Sequence, residues 1–328
     1  MTMTAATVTV IIATYNRAAL LDECLAHLRT QRFLPGDDVI VVDNGSADDT
    51  AATVARHQSA WSVPLRLLYE PRAGKSRAIA RALVDTSADI LVFTDDDVNV
   101  GAGWLDAIRV AMTAPTVALV GGPVAPRWET GVPHWIRRAR ERHPRLGAPL
   151  ALLDYGGDAI ELGPRTLLGA NIAVRREIFI KAGGFPTSLG KLRGTLLSGE
   201  DHELCRRVQA IGFQALYVPE AVVHHWVPAS RARALYFLRW FFWSGITHAI
   251  MDDDGETVAG RSIGGVPFYL VRQLASASAA TLAALATADR AAALTHAIDV
   301  AFALGYASRR WGLVTPAGAT SSTVGEPA

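Results

Sequence analysis

Residues 8–17 (VTVIIATYNR), 39–46 (VIVVDNGS) and 90–97 (ILVFTDDD) share one plan: a short unbroken apolar run that stops abruptly in polar residues. A half-buried strand would alternate, so each run reads as a strand covered on both faces. Between the first two, Leu21, Cys24, Leu25 and Leu28 recur at helical spacing, and Asn16 stands where a cap is needed. Asn44-Gly45-Ser46 reads as a turn, with Ser46 capping a helix over 48–57. A strand over 65–70 and a helix over 75–85 complete the series. Strand and helix alternating at this cadence predict an α/β fold, a Rossmann-like, mostly parallel sheet with helices on both faces. In such sheets ligands sit outside the carboxyl ends of the strands. The polar residues at those ends are Thr14 to Arg17, Asp43-Asn44 and Asp95-Asp96-Asp97.

Composition removes other classes. A chain of 328 residues suggests two domains, or one large one with an appendage. Half the residues are apolar (50%) and 19% are charged, which excludes a disordered or fibrous chain. With 32 basic against 31 acidic residues, the net charge of +1 provides no field for holding nucleic acid. Cys24 and Cys205 alone exclude a disulfide framework or a Cys-rich zinc site, and they fit a reducing compartment. Only three of the basic residues are lysines (Lys75, Lys181, Lys191), the mark of a GC-rich coding bias first and of arginine-dependent function second. No basic residue precedes the apolar run at 8–13, and the run is too short for a signal peptide, so a cytoplasmic location is expected.

The remainder is less regular. Residues 127–145 carry six arginines against Glu129 and Glu141, with Trp128 and Trp135, and read as an exposed basic loop or short helix. Residues 235–250 are rich in aromatics, 264–308 read as Ala/Leu-rich helix, and 315–328 as a disordered tail. The uncharged stretch 273–288 has 16 residues, short of the roughly 20 that cross a bilayer. The mean hydropathy of +0.20 is nonetheless high. Two readings stand: a bundle packed on the enzyme or on a second copy as a homodimer, or a segment lying peripherally in a membrane interface.

Three features carry chemistry. The adjacent carboxylates Asp95, Asp96 and Asp97 repel one another and need a compensating cation. A divalent ion, Mg2+ or Mn2+, held by one or two carboxylates and completed by substrate phosphates is a common solution; a solvated acidic turn is the plainer one. Gly199-Glu200-Asp201-His202-Glu203 opens a helix, where acids are either favoured by the helix dipole or supply a general base. His224 and His225 end an apolar strand on opposite faces, so at most one reaches a site, there to complete a carboxylate-bound metal as a neutral imidazole.

Residues 9–17 (TVIIATYNR), 41–46 (VVDNGS), 74–80 (GKSRAIA) and 93–97 (FTDDD) resemble the donor half of family 2 glycosyltransferases of GT-A fold, and 169–171 (GAN), 183–185 (GGF), 199–204 (GEDHEL) and the two histidines resemble its acceptor half. The ordered set runs over residues 7–230, and the blocks near Trp128 and 225–245 resemble a bacterial subgroup of cell-surface polysaccharide assembly. The resemblance implies a catalytic domain over 1–230, with a nucleotide-sugar half (1–125) and an acceptor half (126–230), then a helical segment over 231–312 and a tail over 313–328. It implies that Thr14, Tyr15 and Arg17 line the nucleotide pocket and that Asp43 accepts from the base. Lys75 and Arg77 would lie near the base and phosphates. Asp95 would contact ribose or metal within the Asp95-Asp96-Asp97 triplet, Asp97 would ligate the metal, and Gly169 and Asn171 would border the sugar. Asp201 would be the catalytic base, with Glu200 shaping the sugar pocket and Glu203 the alternative base. The implied reaction is inverting, metal-dependent transfer of a single sugar, most readily from a UDP-sugar, to a hydroxyl of a glycan or lipid-linked acceptor. Tyr236 stands where processive members carry glutamine before Arg239-Trp240. Arg231, Arg233 and Arg239 beside the aromatic segment suggest contact with anionic lipid or a lipid diphosphate. The rival readings are a nucleotidyltransferase, for which residues 13–16 lack the glycine-rich phosphate loop, and a non-catalytic sugar-nucleotide-binding subunit.

Overall fold

The computed structural model describes residues 5–133, 135–137, 140, 143–186, 195–254 and 261–314. The chain divides into two compact units, Met1–Thr187 with Gly199–Ala232, and Ser188–Ser198 with Arg233–Ala328.

The first unit contains β1 (Val8–Thr14), β2 (Asp38–Asp43), β3 (Leu65–Tyr69), β4 (Ile90–Asp95), β5 (Val98–Val100), β6 (Val117–Gly121), β7 (Val124–Trp128), β8 (Ile160–Glu161), β9 (Asn171–Arg175), β10 (Gln214–Tyr217) and β11 (Val223–Val227). Eight of them form one sheet in the order β3-β2-β1-β4-β9-β6-β10-β8. The first four run parallel, as the apolar runs predicted, while β9 is inserted antiparallel between β4 and β6. Alternation explains why the runs are unbroken. Val8, Val10 and Ile12 face one core together with Val39, Val41, Ile90 and Val92, whereas Ile11, Ile40, Val42, Leu91 and Phe93 face the other. A second sheet, β5-β11-β7, was not legible in the sequence.

Both expected helix caps are replaced. The helix Ala18–Leu28 buries Leu21, Cys24, Leu25 and Leu28 as predicted, but Arg17 precedes it. Asn16 instead adopts a left-handed φ of 50°. Its Oδ1 accepts from Ala47 N at 2.7 Å, and its own N–H donates to Ser46 Oγ at 2.9 Å. Ser46 is thereby committed to Asn16, and the next helix begins later, at Thr50, whose N–H donates to Asp48 Oδ1 at 3.2 Å. The turns after β1 and β2 thus bond to each other rather than to their own helices. In the basic stretch, Arg127 lies in β7 and donates to Glu23 Oε2 at 2.5 Å. His134, Arg138 and Arg142 lie outside the described residues, as does the expected tail over 315–328.

The second unit is built on the helices Ala234–Asp254, Phe268–Ala286 and Arg290–Arg310. The Ala/Leu-rich stretch 264–308 is largely helical as expected and divides at Ala288, which has φ 57°, where Asp289 caps the new start by accepting from Ala292 N at 3.0 Å. Helix Arg290–Arg310 approaches helix Ala234–Asp254 backbone to backbone. A Cβ on Gly305 would stand 1.9 Å from the Phe242 carbonyl oxygen, and one on Gly245 would stand 2.0 Å from that of Phe302. Among the described residues, Arg290–Arg310 is the one helix long and apolar enough to cross a membrane, with hydropathy 1.2 and 39% of that window buried.

Gly305→Ala forces two helix backbones apart and is expected to lower stability by about 1–3 kcal/mol. Gly157→Ala, where nothing lies within 4 Å, is expected to leave it unchanged. Paired thermal unfolding of the two variants checks this.

Candidate active site

The three aspartates following the apolar part of β4 meet different surroundings. Asp95 pairs with the Lys75 ammonium. Asp96 accepts from Thr14 Oγ1 at 2.8 Å through Oδ2 and from Arg17 Nη1 at 2.9 Å through Oδ1. The same Arg17 nitrogen donates to Asp97 Oδ2 at 2.8 Å. Two cations of the chain therefore offset two of the triplet's three charges in place. Burial pushes the Asp96 carboxyl up to about 6, Arg17 pulling against it and Asp97 adding to it. On Arg17 burial opposes the charge, but Asp96 and Asp97 outweigh it and raise its pKa above the ordinary arginine value.

β11 adds a histidine. It pairs antiparallel with β5, His225 opposite Val98, and Trp226 N donates to Asp97 O at 2.8 Å. This register sets His225 Nε2 3.6 Å from Asp97 Oδ1, with Arg231 Nη1 3.4 Å from the same ring nitrogen. His225 is 1% exposed, while His224 faces outward and is not part of the cluster. Asp97 Oδ1 is buried without a hydrogen-bond partner among the described residues. A desolvated carboxylate oxygen beside an imidazole suits a divalent cation. Among the described residues no three His, Cys, Asp or Glu side chains close on one point, so such an ion would draw its other ligands from substrate or water.

Lys75 joins this cluster to the predicted base. Burial opposes its charge, but Asp95 and then Glu200 outweigh it, with Asp201 adding to them, and its pKa is raised above the ordinary lysine value. Asp201 accepts from Gly169 N at 3.1 Å and from His202 N at 2.8 Å, one bond on each oxygen, which leaves lone pairs for a further donor. A Cβ on Gly169 would lie 3.7 Å from Lys75 Nζ and 4.0 Å from Asp201 Cβ, so the strip between them is narrow. Gly199 turns the chain into helix Glu200–Ala210 at φ 101°, a conformation that favours glycine. Glu203 is held away from this chemistry. Arg206 and Arg207 clamp it at 2.7–2.8 Å, and the Arg206 bonds, against burial, hold its carboxyl down at about 2.

Other predicted residues serve the frame or stand at the surface. Asn171 is 1% exposed and braces the loops: its Nδ2 donates to Ala221 O at 2.7 Å and Pro123 O at 3.2 Å, and its Oδ1 accepts from Trp104 Nε1 at 2.8 Å. Asp43 accepts from Ser46 N at 2.8 Å, Tyr15 is 40% exposed, and Arg77 is exposed. Asn44, which the sequence marks only as a polar residue at a strand end and in a turn, is a positioning residue. Its side chain donates to Glu70 O and Arg72 O and accepts from Gly74 N, each at 2.8 Å, which fixes the start of helix Lys75–Val84.

The model of "Glycosyl transferase family 2" matches residues 9–182, more than half of the chain. The chain belongs to this family. As a family 2 glycosyltransferase it is 25% identical to the glucosyl-dolichyl phosphate glucuronosyltransferase of Haloferax volcanii, over 75% of this chain and 77% of that one. It is 30% identical to the succinoglycan biosynthesis protein ExoM of Rhizobium meliloti, over 64% of this chain, and spans 63% of that relative's length. The fold is of GT-A type. A mannosyltransferase of Pyrobaculum calidifontis, solved with GDP-Man and Mn2+, superposes with a TM-score of 0.63 at 23% identity, covering 94% of this chain and 88% of that one.

Glu203, with its pKa depressed from 4.5 to about 2, stabilises the glycosyltransferase above the unfolded value and loses that contribution as pH falls through the folded one. Glu203→Gln is expected to cost about 2 kcal/mol near neutral pH. The deficit should shrink as pH is lowered from about 5 to about 3, which unfolding curves of both proteins across that range measure.

Proposed function

We propose that this glycosyltransferase moves one sugar from a nucleotide-diphosphate sugar to an acceptor hydroxyl with inversion at the anomeric carbon. The observation that carries the reading is Lys75, whose ammonium pairs with Asp95 and feels Glu200 and Asp201 next. It joins a phosphate-side acidic cluster to a base-side carboxylate. Thr14, Tyr15, Arg17 and Asp43 would receive the nucleotide, Arg77 and Lys75 its phosphates, and Glu200 and Gly169 the sugar. A divalent cation held by Asp97 and His225, with Asp95 nearby, would supply Lewis-acid neutralisation of the diphosphate. Asp201 takes the acceptor proton as the hydroxyl oxygen attacks the anomeric carbon. The bond to the diphosphate breaks on the opposite side, its electron pair leaving on the phosphate oxygen. Lys75 offers a fixed positive charge beside that departure.

The relatives' names, one a lipid-phosphate sugar modifier and the other a polysaccharide assembly protein, support a glycan or lipid-linked acceptor of the cell envelope. A place on the cytoplasmic face of the membrane accords with such an acceptor. The domain assignment that accompanies this reading is a catalytic part over 1–230 followed by an accessory helical segment.

The test is a panel of UDP-, GDP- and dTDP-sugars with Mn2+ or Mg2+, scored by metal-dependent thermal stabilisation and slow nucleotide release. One donor is expected to stand out. With it, Asp201→Asn should lose a factor of about 10²–10⁴ in turnover while keeping its melting temperature. Near-wild-type turnover in that variant would remove Asp201 from the mechanism.

A further inference from the structure

We propose that Arg17 is a displaceable guard on the acidic triplet: it fills the gap between Asp96 and Asp97 until donor and metal arrive together, and so keeps the metal from binding first. The inference rests on the metal-dependent reading above.

A single nitrogen, Arg17 Nη1, reaches Asp96 Oδ1 at 2.9 Å and Asp97 Oδ2 at 2.8 Å. It occupies one of the two oxygens of Asp97, and the other is the orphan beside His225. A cation using both Asp97 oxygens must therefore displace the guanidinium. The charges agree. Asp95, Asp96 and Asp97 against Arg17 and Lys75 leave a single net negative charge, a weak trap for a divalent ion. A nucleotide diphosphate brings the negative charge that both the ion and the released guanidinium can share.

The geometry also permits departure. The two carboxylate side chains are 5% exposed, but the Arg17 side chain keeps 40% of its surface, so it can swing outward without disturbing the core. Its backbone stays in place, because Asn16 is pinned to Ser46 and Ala47, and Ala18 N donates to Asp48 Oδ2 at 2.9 Å. A purely structural arginine would account for the neutralised aspartates, but it would give no reason for metal affinity to depend on residue 17.

The experiment titrates Mn2+ alone into folded protein and follows free Mn2+ by electron paramagnetic resonance. Wild type should bind weakly. Arg17→Gln, and Arg17→Met, which keeps the stem, should bind roughly tenfold tighter or more. Arg17→Lys, which keeps the charge, should stay weak, and Arg17→Gln with Asp97→Asn should lose the gain. Adding UDP or GDP to wild type should bring its Mn2+ affinity up. If the folded Gln and Met variants gain nothing while nucleotide still brings Mn2+ to wild type, the guard is wrong and the metal reading stands. If neither nucleotide nor substitution brings Mn2+ in, both fall. Should no variant fold, ¹⁵N resonances of the wild-type Arg17 guanidinium decide. They should lose their ion-paired signature when UDP and Mg2+ are added together, and an unchanged signature overturns the proposal.

Discussion

Three consecutive carboxylates at the end of a buried strand cannot stand without cations, and much of the catalytic unit is arranged around that requirement. The cations that pair with the triplet directly come from two elements. Arg17 leaves the end of β1, the strand paired directly with β4, and Lys75 opens the helix that follows the β2–β3 segment. Asn44, at the end of β2, ties the 70–74 loop to the start of that helix, so the sheet order, the loop and the charge balance form one system. The buried threonine at the end of β1 joins it by donating to Asp96.

The small β5-β11-β7 sheet performs the complementary task. By pairing β11 with the strand that directly follows the triplet, it carries His225 to Asp97 across the whole second half of the unit. The turn beyond β11 returns Arg231 to the same imidazole. Asn171 holds the loops before β7 and before β11 against one another, which explains why an amide rather than an apolar residue lies buried there. The family match ends at residue 182, before Glu200, Asp201 and His225, so their relation to the triplet rests on the fold.

The helical unit follows a different rule. Two of its helices meet backbone to backbone at Gly245 and Gly305, where any side chain would collide with a carbonyl oxygen. Two reciprocal glycines on facing helices fix register as firmly as a packed side chain would, because dispersion between closely spaced backbones is lost at once when they separate.

The apolar runs at 8–13, 39–42 and 90–94 pointed to the parallel half of the sheet and to the strand ends on which Thr14, Arg17, Asp43 and the triplet sit, because short β-branched runs bounded by polar turns and alternating with helical segments fit strands covered on both faces. The sequence also limited the site to at most one of His224 and His225, since neighbours on a strand face opposite ways, but only the pairing of β11 with β5 decided that it is His225. The sequence required a compensating cation but could not say which one, because ion pairing between residues 17 and 96, or 75 and 95, depends on sheet order and not on spacing. Tertiary structure alone decided that Glu203 is clamped by Arg206 and Arg207 while Asp201 faces Gly169 and Lys75. It also decided that Asn171 is a brace, and that the turn residues Asn16 and Ser46 hold each other instead of capping helices. In each case a polar side chain had several local partners on offer, and only the packed fold shows which of them lies within hydrogen-bond reach.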